Sequence, residues 1–176
     1  VPLNSWTRTD LSDETLFYTL DDVKPGDSGS HAVTLQVDDN SAWACLTTEV
    51  TRNDDMTCLG PEQADDPTCS EPGPFQGELG DELQFVWWSD DGNGIYDPGE
   101  TILGQSTFAT GTTLTLADST GGVLAGDPLL PSTEYALGTA WCHGTLSLAG
   151  GLACDGSQLT NAAQSDEVEV GLSFYS

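Results

Sequence analysis

Leu20–Cys45 reads LDDVKPGDSGSHAVTLQVDDNSAWAC, and its punctuation sets the class of the fold. Pro25 fixes φ and Gly26 frees it, so Lys24–Gly29 is a turn. His31, Val33, Leu35 and Val37 then alternate with Ala32, Thr34 and Gln36, the two-residue period of a strand with one buried face. Asp38-Asp39-Asn40 breaks the run, and Ala42-Trp43-Ala44-Cys45-Leu46 resumes it. The stretch therefore reads as a hairpin-like unit: turn, strand, turn, strand.

The same rhythm continues outward in both directions. Strands are predicted over Leu16–Leu20, His31–Val37, Ala42–Val50, Leu83–Trp88, Ile102–Ala109, Thr112–Ala117, Glu134–Cys142 and Glu167–Phe174. The last alternates cleanly, with Val168, Val170, Leu172 and Phe174 set against Glu167, Glu169, Gly171 and Ser173. Helical periodicity is nearly absent. Short strands parted by Gly, Asp and Pro turns make an all-β chain, a jelly-roll-like β-sandwich with long disulfide-stapled loops. Residues 1–12 read as an extended N-terminal arm and residues 13–176 as one sandwich domain. The polar excursion Asn53–Gly80 is long for a compact domain unless a staple holds it, and it has room for a short helical turn.

Composition narrows the partners. The 176 residues hold 29 Asp plus Glu against 3 Lys plus Arg, a formal net charge of -26. Such a surface repels phosphate, which argues against nucleic acid and anionic membranes and in favour of cations. A solvated acidic surface suited to high salt accounts for most of the charge, because salt shortens the Debye length from about 8 Å at physiological ionic strength. No apolar run reaches the length of a membrane span. The start at Val1-Pro2 rather than Met reads as a processed or trimmed N-terminus.

Cysteines stand at 45, 58, 69, 142 and 154 without any Cys-x-x-Cys pair, which disfavours a zinc ribbon and favours oxidation. Cys142 and Cys154 bracket a Gly-rich turn and form the best pair, while Cys58 and Cys69 would staple the acidic excursion. Cys45 is left over: a buried free thiol, an alternative partner within that second pair, or a link to a neighbouring subunit.

One loop has the donors of a calcium site. After the apolar run Phe85-Val86-Trp87-Trp88 comes Ser89–Glu100, SDDGNGIYDPGE. Calcium takes six to eight oxygens at about 2.3–2.6 Å. On a twelve-residue frame with Gly94 at the sixth position, the ligands are Asp91, Asn93, the Ile95 carbonyl, Asp97 and Glu100. The first position falls on Ser89 rather than an acid, with Asp90 available by a small shift of frame. No helices flank the loop, so it is a clamp between strands rather than an EF-hand, of the extracellular class that binds at about 10⁻⁴–10⁻³ M. A plain Asp/Gly turn explains the same residues without an ion.

Signs of catalysis are weak, and no enzyme is expected. Gly26-Asp27-Ser28-Gly29 looks like the nucleophile loop of chymotrypsin-type proteases, yet no histidine precedes it, as their chain order requires. His31 sits on the apolar face of its strand, and His143 follows Cys142 in a loop. A His-Glu-x-x-His zinc motif is absent. Trp43, Trp87, Trp88 and Trp141 lie in apolar runs and read chiefly as core. Because Trp87 and Trp88 are adjacent, one of them faces outward, over a neighbour or over the calcium loop.

Several of these segments, in order, resemble the TasA/camelysin family of secreted biofilm-fibre proteins. They are Asp21–Gly29, the strand to Val37, Asp39–Cys45, Glu82–Gly92, Leu116–Ser119 and Gly138–Gly144, the later ones similar to a cysteine-bearing branch. The resemblance implies a jelly roll that polymerises into an extracellular filament, pilus or biofilm-matrix fibre at the cell surface. One subunit's N-terminal segment adds as a strand to the next, so the partner is the protein itself. Val1–Thr9 is the candidate donor, with Leu3 and Trp6 as anchors. The resemblance also implies a further segment ahead of the part matching Val1, expected to have been removed or to be replaced by Leu3–Tyr18. The alternative reading is a monomeric calcium-binding adhesin or surface-layer module.

Overall fold

A computed structural model describes residues 16–70 and 73–176. The alternating segments become ten strands: β1 (Leu16–Asp21), β2 (Ser28–Val37), β3 (Ala44–Asp54), β4 (Leu83–Asp90), β5 (Ile102–Thr107), β6 (Thr112–Ala117), β7 (Thr133–His143), β8 (Thr145–Ser147), β9 (Ala153–Asp155) and β10 (Glu167–Tyr175). Two single-turn helices, α1 (Glu62–Asp65) and α2 (Leu79–Glu82), lie between β3 and β4. The chain is an all-β sandwich. One sheet runs β1-β10-β3-β6, the other β2-β7-β4-β5, and β8 and β9 form a separate small hairpin. Among the described residues every ladder is antiparallel.

The hairpin-like reading of Leu20–Cys45 is corrected on one point. β2 and β3 do not pair. β2 bonds to β7, with Leu35 opposite Tyr135, whereas β3 lies between β10 and β6. The connection between them crosses the rim of the sandwich. There Ala42 and Leu129 exchange backbone hydrogen bonds of 3.0 and 2.9 Å. The crossing lets the apolar faces of two successive strands confront each other across the core instead of lying side by side. The turn before β2 forms as read: Gly26 takes φ 91°, and the Asp27 N–H donates to the Lys24 carbonyl at 2.8 Å.

Between the sheets, Leu46, Leu114, Leu116, Val168 and Val170 meet Phe85, Trp87 and Leu137. Phe85 stacks on Phe108 at 4.6 Å. The buried Tyr18 hydroxyl shares a 3.0 Å hydrogen bond with Thr139, which links β1 to β7 across the core, and burial pushes its phenol well above the usual range.

The second sheet is covered outside as well. Val86, Trp88, Ala140 and Cys142 pack there with Leu146 of β8 and Tyr96 of the following loop. This explains the unbroken apolar run in β4, since a strand buried on both faces needs no alternation. Trp88 is the outward-facing member of its pair. Its indole N–H donates to Asp90 at 3.1 Å and its ring lies edge-on to Tyr96 at 5.7 Å.

Two disulfides brace the loops. Cys142–Cys154 ties β7 to β9 and Cys58–Cys69 closes the excursion around α1, with Cα separations of 5.5 and 5.1 Å. Cys45 is a half-buried free thiol on β3. The pair of bridges fits an oxidising, extracellular setting. Among the described residues no helix is long and apolar enough to cross a membrane. The arm at residues 1–12, with Leu3 and Trp6, lies outside the described residues.

Candidate functional site

The loop after β4 folds on its own hydrogen bonds. Asp90 is buried, and its Oδ1 accepts the N–H groups of Gly92 and Gly94 at 2.7 and 3.0 Å. Glu100 accepts from the N–H groups of Asp91 and Asp97 at 2.9 and 2.8 Å. Asn93 Nδ2 donates to Asp97 at 2.8 Å, and Asn93 Oδ1 accepts the Ile95 N–H at 2.6 Å. Asp91, Asn93, Ile95 and Asp97 are exposed, and Glu100 is half-buried. The five ligands read from the spacing thus share one short loop, and their side chains are spent largely on its backbone N–H groups.

Carboxylate oxygens converge elsewhere, beneath the stapled excursion. Asp55, the residue after β3, joins Asp66 and Glu78 in one triad and Glu62 and Asp166 in another, and within each triad the ligand atoms lie within 4.8 Å of one another. Asp55, Glu62, Asp66 and Asp166 are buried and Glu78 is half-buried. The local fold presents them one oxygen at a time. Glu62 Oε2 accepts the Leu59 N–H at 3.0 Å and the Ser165 hydroxyl at 3.2 Å. Asp66 Oδ1 takes both the N–H and the hydroxyl of Thr68, at 2.8 and 2.6 Å. Asp166 Oδ2 accepts the N–H groups of Glu78 and Leu79 at 2.8 and 3.1 Å.

The other oxygens, Glu62 Oε1, Asp66 Oδ2 and Asp166 Oδ1, are buried with no hydrogen-bond partner, as are Asp55 Oδ1 and Glu78 Oε2. The described basic side chains are engaged elsewhere: Lys24 with Asp22, Arg52 with Asp54 and Glu167. Burial, then the charges of Asp66 and Asp55, push Glu78 up to about 7. Burial and the adjoining Asp55 raise Asp166 as well, whereas the Thr68 hydroxyl and N–H hold Asp66 below the usual carboxylate range. These acidic clusters could hold a metal ion. Their signal in the sequence was faint, because each acid is one of 29. What distinguishes them is that Asn53–Gly80 carries repeated acids and no Lys or Arg within it.

The remaining candidates take structural places. His143 is buried, and its Nε2 meets Glu82 at 2.9 Å. The Asp27 carboxylate accepts the Lys24 N–H at 2.9 Å, and the Asp27 carbonyl accepts the His143 N–H at 2.9 Å, so this turn is stitched to the end of β7. His31 is half-buried among Phe17 and Tyr18, and burial lowers its pKa. Trp87 and Trp88 are fully buried, Trp141 is half-buried and Trp43 is 48% exposed, so Trp43 departs from the expected core role. Near Trp43 a groove of about 260 Å³ opens at the rim of the sandwich, lined in part by Leu35, Val37, Ala44, Leu129 and Phe174. Comparison with family models, with curated proteins and with solved structures gives no match.

Proposed function

We propose that the chain is a non-enzymatic structural subunit of an extracellular filament, built head to tail by strand donation between copies. The observation that carries this reading is the apolar groove at the rim, flanked by the edge strand β2 and the end of β10. A neighbour's extended segment laid along a sheet edge satisfies backbone groups, and its apolar side chains fill such a groove. Val1–Thr9 is the proposed donor, with Leu3 and Trp6 as its anchors. Strand exchange of this kind need not close, so it yields a fibre.

The resemblance of Asp21–Cys45 and the later segments to the TasA/camelysin family supports the same reading. So does the passage of the chain back and forth between two four-stranded sheets, which is how a jelly roll is wound. Subunits of charge -26 repel each other, so high salt or divalent cations favour assembly. Calcium is the cation we propose, with Asp91–Glu100 as its surface clamp.

A second reading has its own observation. β1 pairs with β10 of the same chain, from Leu16 opposite Gly171 to Asp21 opposite Glu167, as a self-contained adhesin or surface-layer module requires.

Electron microscopy and light scattering of the refolded chain, intact and trimmed of Val1–Thr9, separate the two. Fibres from the intact chain and none from the trimmed one support strand donation. A monodisperse intact chain in high salt with calcium overturns it in favour of the monomeric module. Equal fibre yield in low salt with chelator removes the cation dependence.

A further inference from the structure

We propose that the buried carboxylates around Asp55 form a binding site for a hard divalent cation of the calcium class, distinct from the surface loop Asp91–Glu100. Asp55 is the ligand common to its two lobes.

The argument begins with what burial costs. An ionised carboxylate withdrawn from water without a counter-charge is destabilising by several kcal/mol. Here Asp55, Glu62, Asp66 and Asp166 are all at least nine-tenths buried, and each leaves one oxygen without a hydrogen-bond partner. A merely structural carboxyl uses its burial to satisfy backbone donors with both oxygens. Glu62, Asp66 and Asp166 instead anchor one oxygen firmly and leave the other buried without a partner. Fixing a ligand through its second oxygen is how proteins orient groups for a metal.

The donor chemistry selects the ion. Both triads are made of carboxylate oxygens, without histidine or cysteine. That set suits calcium or magnesium rather than zinc or copper. Two ligands on opposite sides of a calcium ion stand about 5 Å apart, and the oxygens of each triad fall within 4.8 Å of one another. Irregular, carboxylate-rich spheres suit calcium, whereas magnesium demands a near-ideal octahedron and keeps its waters. The ligands come from the residue after β3, the disulfide-closed loop, the residue before α2 and the residue before β10. An ion there would act as the core of a segment that has little apolar core of its own.

Calorimetry and thermal melting of the full chain, stripped with chelator and titrated with calcium, test the proposal. Wild type is expected to bind calcium and to melt higher in its presence. Asp55→Asn is expected to weaken binding by about tenfold or more, since it removes the shared ligand charge. It should also raise the melting temperature of the chelated protein, because it relieves repulsion among the remaining acids. That second effect keeps the test readable, as this variant is expected to fold. Asp39→Asn, an exposed acid outside both the cluster and the surface loop, should leave the calcium affinity unchanged. Absence of calcium binding by the wild type at millimolar concentration overturns the proposal and leaves shared protons as what holds the cluster. Equal calcium affinity in Asp55→Asn overturns it too. Neither result depends on whether the protein forms fibres.

Discussion

Gly138 lies directly across from Trp88 in the β4–β7 ladder, and the Trp88 indole occupies the place where a Cβ on residue 138 would stand. The ring lies flat over the neighbouring strand because that strand offers only hydrogen there. The arrangement lets Trp88 reach Asp90 and Tyr96 and seal the outer face of the second sheet.

Gly138→Val should therefore destabilise the fold by about 1–3 kcal/mol through overpacking, and Trp88→Ala by about 3–5 kcal/mol through the cavity it leaves. The double variant should cost less than the sum, since each change removes the other's conflict. Denaturant unfolding of the three variants measures the coupling, and strict additivity would count against the contact.

Replacing Cys142 and Cys154 together by alanine should cost about 3 kcal/mol, the chain entropy released when a loop of this size opens. Unfolding of the wild type and the variant under non-reducing conditions reads the difference. The same exchange at Cys58 and Cys69 should also weaken the calcium response, because that bridge closes the excursion carrying Glu62 and Asp66.

Burial lowers the pKa of His31 from its ordinary value of 6.5. The unfolded chain then binds a proton more readily than the folded one. The stability associated with this residue is intact above pH 6.5 and is lost as pH falls from there toward the lowered folded value. Between pH 7.5 and pH 5, wild type should accordingly lose more stability than His31→Gln, in which this linkage is absent; parallel losses would show that His31 titrates normally.

Arg52 bonds Asp54 and Glu167 at 2.8 Å each and approaches Glu169 at 4.0 Å, so it sits between acids of β3 and β10. Arg52→Ala should destabilise the chain more in low salt than in molar salt, since screening quiets the acids it leaves behind. Melting temperatures across a salt series give the answer, and a salt-independent loss would point to packing of its aliphatic stem instead.

The principal strands were readable from period-two patterning, most clearly in His31–Val37 and Val168–Phe174, because alternation reports which face is buried. It does not report what buries it. That is why β2 and β3 looked like a hairpin when they belong to opposite sheets. The hairpin of β8 and β9 escaped because strands of three residues carry no period; it is docked by the Cys142–Cys154 bridge, by Leu146 packing on Trp88, and by Gln84 accepting the Leu146 N–H at 2.8 Å. The carboxylate clusters escaped for another reason. Asp55, Glu62, Asp66 and Glu78 are scattered without a period through one irregular excursion, and only its closing onto the residue before β10 brings Asp166 to Asp55. The surface loop, by contrast, announced itself by local spacing, although its own backbone uses most of its oxygens.

Trp141 repeats the pattern of Trp88: it stands opposite Gly29, where a Cβ would lie 2.6 Å from its indole nitrogen. At both places the bulky member and the bare member answer each other across a ladder, so neither can drift alone during evolution. A substitution that shrinks one ring calls for filling the facing gap, and one that restores the ring calls for emptying it again. The lineage of this sandwich should thus be written in coupled columns, and kinship too remote for overall identity to register should surface when positions 88 with 138, and 141 with 29, are scored as pairs.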